Sequence, residues 1–535
     1  MPTKRTTAAE NSLQNQENLL PRPQLLSLFP ALALVLCVCF IDQNGVLVAL
    51  PTIATDLSAE VTISWAGTSS LIANTVFSVL YGRLSDIFGR KPVFLAACGL
   101  LAVADLLCGL SQNAPMFYVF RAVAGLAGGG ITNLTMIIVS DVVTLQERGK
   151  YQGILGACIG VGNIVGPFVA AVFVQSTTWR GYFWLLAPLV TVCGTISFFM
   201  LPSSPPTTGF KEPGFRENVR KIDHWGVLAS SMAIVFLLIP ISGGGAYFPW
   251  ASPMVIAMLT IGCIALLLYV LVEWKVAELP MMPLSMFSNR AVCALLVQSF
   301  LLGWVYQSYL YYLPLYYQNA RQYSPIVSAA LTAPVLAIQS TSSVLSGQYI
   351  SRKGRYIEVL WLGFGVWTLG CGLTVLFDRD THPAVCCVIL AIVGIGVGNI
   401  FQPTLVALQA HSPKAQRAVI VSNRNFFRCC GGACGLAVSA AVLQTSLHSA
   451  LPLGLKHLSR YTYSLSSIAE GPDKETVLGS YATASRNVFI MQVPLMGICL
   501  AGCLLIKDFG LQRKEPEVGG SETLPEAAKV GGEKR

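Results

Sequence analysis

The sequence predicts an all-α, polytopic membrane protein built as two six-helix bundles with an inserted helix pair, fourteen spans in all. Three observations carry this. Of 535 residues, 54% are hydrophobic and only 11% charged, against roughly a quarter charged in soluble domains. Apolar runs long enough to cross a bilayer, which takes about 20 residues, recur from residue 28 to residue 506. A glycine-framed charged stretch also occurs twice, each time between two such runs. Gly82 to Lys91 reads G-R-L-S-D-I-F-G-R-K and Gly347 to Tyr356 reads G-Q-Y-I-S-R-K-G-R-Y. In the first copy Gly82 opens a hairpin, Asp86 sits inside it, and Gly89 with Arg90 and Lys91 closes it, so the chain reads as a duplicated bundle.

Residues 1–24 form a polar N-terminal tail in which Pro2 excludes an N-myristoyl glycine. The apolar run after it lacks a small-residue cleavage pattern and is read as a retained first span. The N-terminal bundle occupies 25–202, with spans near 28–52, 62–82, 92–110, 116–140, 152–174 and 181–201. Residues 203–221 are rich in Pro and charge and read as a cytoplasmic linker. Residues 222–289 hold two spans, 223–242 and 252–272, that have no counterpart in the repeat, and the loop after them. The C-terminal bundle, 290–506, takes 291–313, 326–349, 357–377, 384–409, 419–443 and 487–506, with a long polar loop at 444–485 before the last span. The tail, 507–535, is expected to be cytoplasmic and disordered.

Lys and Arg gather in alternate connections. One set includes Lys4, Arg5, Arg90, Lys91, Arg148, Lys150, Arg216, Arg220, Arg352 and Lys353; the other holds little beyond Arg180, Arg321, Arg379 and four residues of the last loop. Positive charge marks the cytoplasmic side, so both termini are expected there. The membrane is read as the cell membrane, with the vacuolar membrane as the alternative. The same distribution accounts for a net charge of +9 without a nucleic acid. Most of the sixteen cysteines sit in apolar runs, and Cys386-Cys387 and Cys429-Cys430 lack metal-ligand spacing, so they read as small apolar residues.

Charges inside spans carry the chemistry, because each costs at least about 2.5–3.5 kcal/mol at the bilayer centre. Four qualify: Asp42, Arg121, Arg424 and Arg428; Asp105, Asp141 and Glu273 lie near enough to span ends to reach water. Asp42 and Arg121 come from one side of the membrane at depths that the long arginine side chain can bridge. A proton on Asp42 would then compete with Arg121, which a coupled carrier needs; a static ion pair is the plainer alternative. Arg424 and Arg428 are four apart and share a helix face. Arg424 reads as snorkelling to the nearby surface. Arg428 lies deeper with no intramembrane acid in its half, and is satisfied either by backbone carbonyls or by an electron-rich or anionic substrate. Asn74, Asn133, Gln298, Gln307, Gln339 and Gln402, with the tyrosines from Tyr306 to Tyr312, are candidate cavity walls; several of them equally suit interhelical hydrogen bonds.

In the fifth span Gly153, Gly156, Gly160, Gly162 and Gly166-Pro167 recur every few residues, giving a face without side chains against which a neighbour can pack closely. Arg121 is followed by Gly125 and Gly128-Gly129-Gly130, Asp42 by Ala49-Leu50-Pro51, and Asn425-Phe426-Phe427-Arg428 by Gly431-Gly432. Together with Gly82–Lys91, these five motifs resemble, in order, those of the major facilitator superfamily, its fourteen-span drug:proton antiporter branch and, within it, fungal efflux pumps. The resemblance implies a major facilitator fold and places the fifth span, with Gly156, Gly160, Gly166 and Pro167, between the two halves. It also implies a gating loop made of Gly82, Asp86, Gly89 and Arg90, in which Asp86 faces the N-terminal end of the span starting near Val419 and Arg90 pairs with an acid such as Asp141. The chain departs from the first-span pattern at Asn44 and Leu47, where the family often has Thr and Asn. That bears on substrate more than on proton coupling.

An enzyme is disfavoured. The five histidines are scattered, and no H-x-x-H, H-E-x-x-H or G-x-x-x-x-G-K-[ST] occurs. Nothing suggests a receptor or scaffold. The expectation is a secondary transporter, monomeric and without cofactor or metal. It would exchange protons for a small, partly hydrophobic compound such as a drug, toxin or secondary metabolite. The alternative is uptake or vacuolar movement of a polar solute such as an amino acid or siderophore.

Overall fold

The computed structural model describes residues 20–59, 62–63, 65–201, 223–243, 248–277, 279–413, 416–460, 473–508 and 510–511. The expected linker at 203–221, residues 1–19 and most of the tail lie outside them. Fourteen α-helices stand among the described residues. Six form the first bundle: α1 Arg22–Asp56, α2 Trp65–Phe88, α3 Arg90–Gly109, α4 Ala114–Val142, α5 Leu145–Ser176 and α6 Trp179–Met200. The inserted pair is α7 His224–Gly243 and α8 Pro253–Lys275. The second bundle comprises α9 Arg290–Asn319, α10 Pro325–Lys353, α11 Ile357–Thr374, α12 Pro383–Ala410, α13 Arg417–Ala450 and α14 Asp473–Gly502. Helix starts carry the expected oxygen caps: Asn113, Thr144, Ser252 and Ser324 each accept a backbone N–H of the first turn.

Thirteen of these helices are long and apolar enough to cross a membrane. The exception is α2, whose Ser70, Asn74, Thr75, Ser78, Arg83, Ser85 and Asp86 are all buried inside the protein. It packs between α4 and α13, so its polar content meets protein rather than lipid. The two bundles meet along two seams, α2 with α13 and α5 with α10. Helix α7 lies against both α2 and α13, and Ile234 and Leu238 pack there with Ile72, Val76 and Ala433. The insertion therefore covers one seam, and α8 lies against α7 with Leu267, Leu271 and Trp274 exposed.

Three expectations about connections are corrected. Gly82–Lys91 is not an open hairpin: α2 continues to Phe88 and α3 starts at Arg90, leaving Gly89 at φ 91° as the one residue between them. Only glycine takes that conformation at little cost, so one residue suffices for the reversal. Its counterpart, Gly354 at φ 68°, ends α10 as a left-handed cap. The loop expected at 444–485 is shorter, because α13 runs to Ala450 and α14 starts at Asp473. Polar residues there join the two helices: Asn487 Nδ2 donates to Ser446 Oγ at 3.1 Å and Ser480 Oγ to the Ala450 carbonyl at 3.1 Å. The start of the tail is also held. Asp508 accepts from the Tyr356 N–H at 3.3 Å, and the Leu511 N–H donates to Gly354 at 2.9 Å.

Candidate functional site

Asp42 on α1 and Arg121 on α4 meet in the first bundle, Arg121 Nη1 to Asp42 Oδ1 at 2.7 Å, with both side chains at most 2% exposed. Helix α6 closes the site. Arg121 lies 6.0 Å from the Phe183 ring, and Tyr182 donates to the Ile41 carbonyl at 2.6 Å. Asp105 belongs here as well. The expectation that it reaches water is corrected, because α4 and α6 pack over the end of α3 and leave it 0% exposed. Glu273 and Asp141 are likewise buried rather than solvated. Glu273 accepts the N–H groups of Met281 and Met282 at 3.1 and 3.2 Å.

At the end of the bundle marked by Gly89 and Gly354, the charges form one cluster. Arg90 Nη1 reaches Asp86 Oδ1 at 2.7 Å and its Nε reaches Asp141 Oδ2 at 2.9 Å, tying α2, α3 and α4 together. Arg83 lies 3.8 Å from Asp86 and donates from Nε to the Pro280 carbonyl at 2.8 Å. Pro280 lies in the strap between α8 and α9, and the carbonyl of the next residue there, Met281, accepts from Asn423 Nδ2 of α13 at 3.0 Å. Gly82 leaves the space that lets α2 approach α13. A Cβ there would stand 2.7 Å from Ser422 Oγ and 2.9 Å from the Ala418 carbonyl.

The glycines of α5 serve two faces, not one. Gly149, Gly153, Gly156 and Gly160 pack on α10, and a Cβ on Gly153 would lie 2.5 Å from the Ser343 carbonyl. Gly162 and Gly166 pack on α1, each 2.6 Å by the same measure from a carbonyl, those of Cys37 and Ile41. The step from Gly160 to Gly162 turns the helix by about 200° at 3.6 residues per turn, which carries the second group to the opposite side. Pro167 follows within α5.

Between the bundles, near mid-helix, lies a mixed polar and aromatic centre. Asn44 donates to Asn163 Oδ1 at 2.5 Å, and Asn163 donates to Tyr306 Oη across the seam at 3.1 Å. Tyr306 meets Phe401 edge-on at 4.8 Å. Two guanidiniums share the Phe401 ring, Arg424 at 5.7 Å and Arg428 at 5.9 Å. Arg424 does not snorkel: it turns inward and donates to the Phe401 carbonyl and, at 3.4 Å, to Thr404 Oγ1. Arg428 is satisfied by a side chain rather than by backbone carbonyls, donating to Asn425 Oδ1 at 2.6 Å from Nη2 and 3.1 Å from Nε. Among the described residues neither forms an ion pair with an acid.

The remaining cavity candidates divide. Gln402 lies against Gly156 across the seam, and Gln339 reaches Tyr306. Asn74 accepts from Cys429 Sγ across the α2–α13 seam at 3.6 Å. Asn133 and Gln298 are ties within one bundle, to the Ser78 carbonyl at 3.1 Å and the Cys499 carbonyl at 2.8 Å. Gln307 packs over Gly432. Of the tyrosines, Tyr309 and Tyr312 bond inside the second bundle, to Thr374 and Leu436. Sequence reasoning missed Asn163, Phe401 and Asn425 as parts of this centre. The available signal was an amide inside the glycine run of α5.

The citrate exporter 1 of Yarrowia lipolytica is 47% identical over 524 residues, covering 97% of this chain and 77% of that protein. The efflux pump dotC of Dothistroma septosporum is 34% identical over 417 residues, covering 78% and 71%. Among solved structures, the human organic anion transporter MFSD10 superposes with a TM-score of 0.58 at 14% identity, covering 91% of this chain and 100% of that one; at that identity the likeness is of fold. The family model described as Major Facilitator Superfamily matches residues 32–436. With two six-helix bundles meeting along paired seams and that match across most of both, the chain is a membrane transporter of the Major Facilitator Superfamily.

Proposed function

We propose that the protein exports a small organic anion in exchange for protons, by alternating access, with the Gly89–Gly354 end and both termini facing the cytoplasm. The observation that carries it is the cation pair Arg424 and Arg428, set on one aromatic ring at the seam between the bundles without an acidic partner among the described residues. A cation in an interior of low dielectric is costly unless paired, and a carboxylate substrate would supply the missing charge. The relative named a citrate exporter supports both the anion and the direction. Proton coupling rests on the buried Asp42–Arg121 pair. A second reading, export of a partly hydrophobic drug, toxin or secondary metabolite, is favoured by the Tyr306–Phe401 edge contact and the relative named an efflux pump. Uptake of an amino acid or siderophore has no such support.

The test is transport by the full chain in proteoliposomes with a pH difference imposed in either direction. Citrate should accumulate against its gradient only when protons flow the opposite way. Transport of a lipophilic dye but not citrate would favour the second reading, and indifference to pH would remove proton coupling.

Orientation is tested with tags at Arg216, after residue 511 and at residue 465 in intact cells. Only the last should react with an impermeant reagent; labelling after residue 511 would invert the topology.

The cluster at Asp86 and Arg90 is assigned to the cytoplasmic gate. Asp86→Asn and Arg90→Ala each remove a charge-assisted contact of roughly 1.5–3 kcal/mol. Transport per molecule at the surface should fall about tenfold or more in each. Normal rates in both would leave the cluster with only a role in setting topology.

A further inference from the structure

Asp105 is the residue that the Asp42–Arg121 pair does not account for. It is 0% exposed, and neither carboxyl oxygen has a hydrogen-bond donor among the described residues. Its carboxyl nonetheless lies close enough to Asp42 for the two side chains to interact directly, and both act on Arg121. Arg121 in turn has a buried Nε without an acceptor. The site therefore contains two carboxyls and one guanidinium, with an Nη1–H committed to Asp42 and the Nε–H without an acceptor among the described residues.

Fully ionised, this triad carries a net negative charge in a site sealed by Cys108, Phe117, Tyr182 and Phe183, all 0% exposed. An uncompensated buried charge costs several kcal/mol. One proton removes it, and also repairs the hydrogen bonding, since a protonated Asp105 can donate to Asp42. The ionisable neighbours do not change this count. They are Asp42 and Cys39 on α1, Arg121 on α4, Tyr182 on α6 and Cys108 on α3 itself. None but Arg121 brings a positive charge.

We propose that Asp105 is the second carboxyl of the proton site: it holds the proton while Arg121 holds Asp42, and it takes Arg121 over when Asp42 is protonated. The step moves one proton between two carboxyl oxygens and one guanidinium between two carboxylates. Arg121 is then paired in both states, and the buried cation is never left alone. The inference rests on the proton-coupled reading above and assigns that site a second group.

The test is the infrared carboxylic-acid C=O stretch of the purified full-length protein in nanodiscs at neutral pH. Wild type should show a protonated-carboxyl band that Asp105→Asn removes. Asp42→Asn should remove the same band, because Asp105 then becomes the only carboxylate for Arg121 and ionises. A wild-type minus Asp105→Asn difference spectrum without a carboxylic-acid component overturns the assignment, and so does a component lost in Asp105→Asn but kept in Asp42→Asn, which a carboxyl protonated by burial alone would give. If Asp105→Asn does not fold, dicyclohexylcarbodiimide labelling of wild type read by mass spectrometry decides. The adduct should sit on Asp105 with Asp42 spared, and the reverse pattern overturns the proposal. Wild-type transport indifferent to pH with the band intact would remove only the proton-coupled reading. pH-driven transport without the band would remove only Asp105.

Discussion

Asp42→Asn is expected to bring accumulation in proteoliposomes down to equilibration while leaving substrate exchange across the membrane measurable. The amide imitates a permanently protonated carboxyl, so the competition between a proton and Arg121 for one oxygen, now 2.7 Å from the guanidinium, no longer occurs. A gradient worth about 100 mV supplies about 2.3 kcal/mol per charge, more than the roughly 1.4 kcal/mol of a tenfold ratio. All of that ratio should be lost. Removing one partner of a buried pair commonly costs about 3–5 kcal/mol, but Asp105 remains beside Arg121 and should keep the variant folded. If vesicles carrying Asp42→Asn still concentrate substrate when a pH difference is imposed, the pair is a static one.

Arg428→Ala should raise the substrate concentration needed for half-maximal transport on the order of tenfold to a hundredfold, since hydrogen bonds to charged groups are worth about 1.5–3 kcal/mol. Arg428→Lys should recover part of this, as it restores charge but not the planar donor fork. Arg424→Ala should act differently. Its guanidinium also satisfies the Phe401 carbonyl and Thr404, so protein yield and thermal stability should fall together with transport. Concentration dependence in both arginine variants, measured with citrate and with a lipophilic dye, separates the two substrate readings. An unchanged half-saturation for citrate in Arg428→Ala would remove the anion site.

The duplicated bundle and its inserted pair were legible in the sequence because lipid leaves a chain few options: long apolar runs and the repeated Gly-to-Gly-Arg spacing allow little else. Asp42 and Arg121 were legible for the same reason, as charges that lipid does not tolerate singly. The errors came where position along a helix was used in place of packing. Asp105 and Arg424 lie about a turn or two from helix ends, and a distance along one axis does not say whether a neighbour covers the end. At Asp105, α4 and α6 do; at Arg424, α12 offers a carbonyl nearer than the surface. The two-faced glycine run of α5 was readable in principle, since the step from Gly160 to Gly162 breaks the three-and-four rhythm. The Asn44–Asn163–Tyr306 chain was not, because it joins three helices.

The strap after α8 gives up adjacent carbonyls to different masters: Pro280 to Arg83 of the first bundle and Met281 to Asn423 of the second. One peptide unit cannot follow two bodies that move apart. If this end of the molecule opens as proposed, one of the two bonds must part, and each is worth about 0.5–1.5 kcal/mol, or about 1.5–3 kcal/mol where the donor is charged. On that reading the strap would act as a fuse between the halves, with the neutral Asn423 link the weaker element and the Arg83 link the one that holds. The inserted pair, anchored by Glu273 to the same strap, would then travel with the first bundle on every stroke.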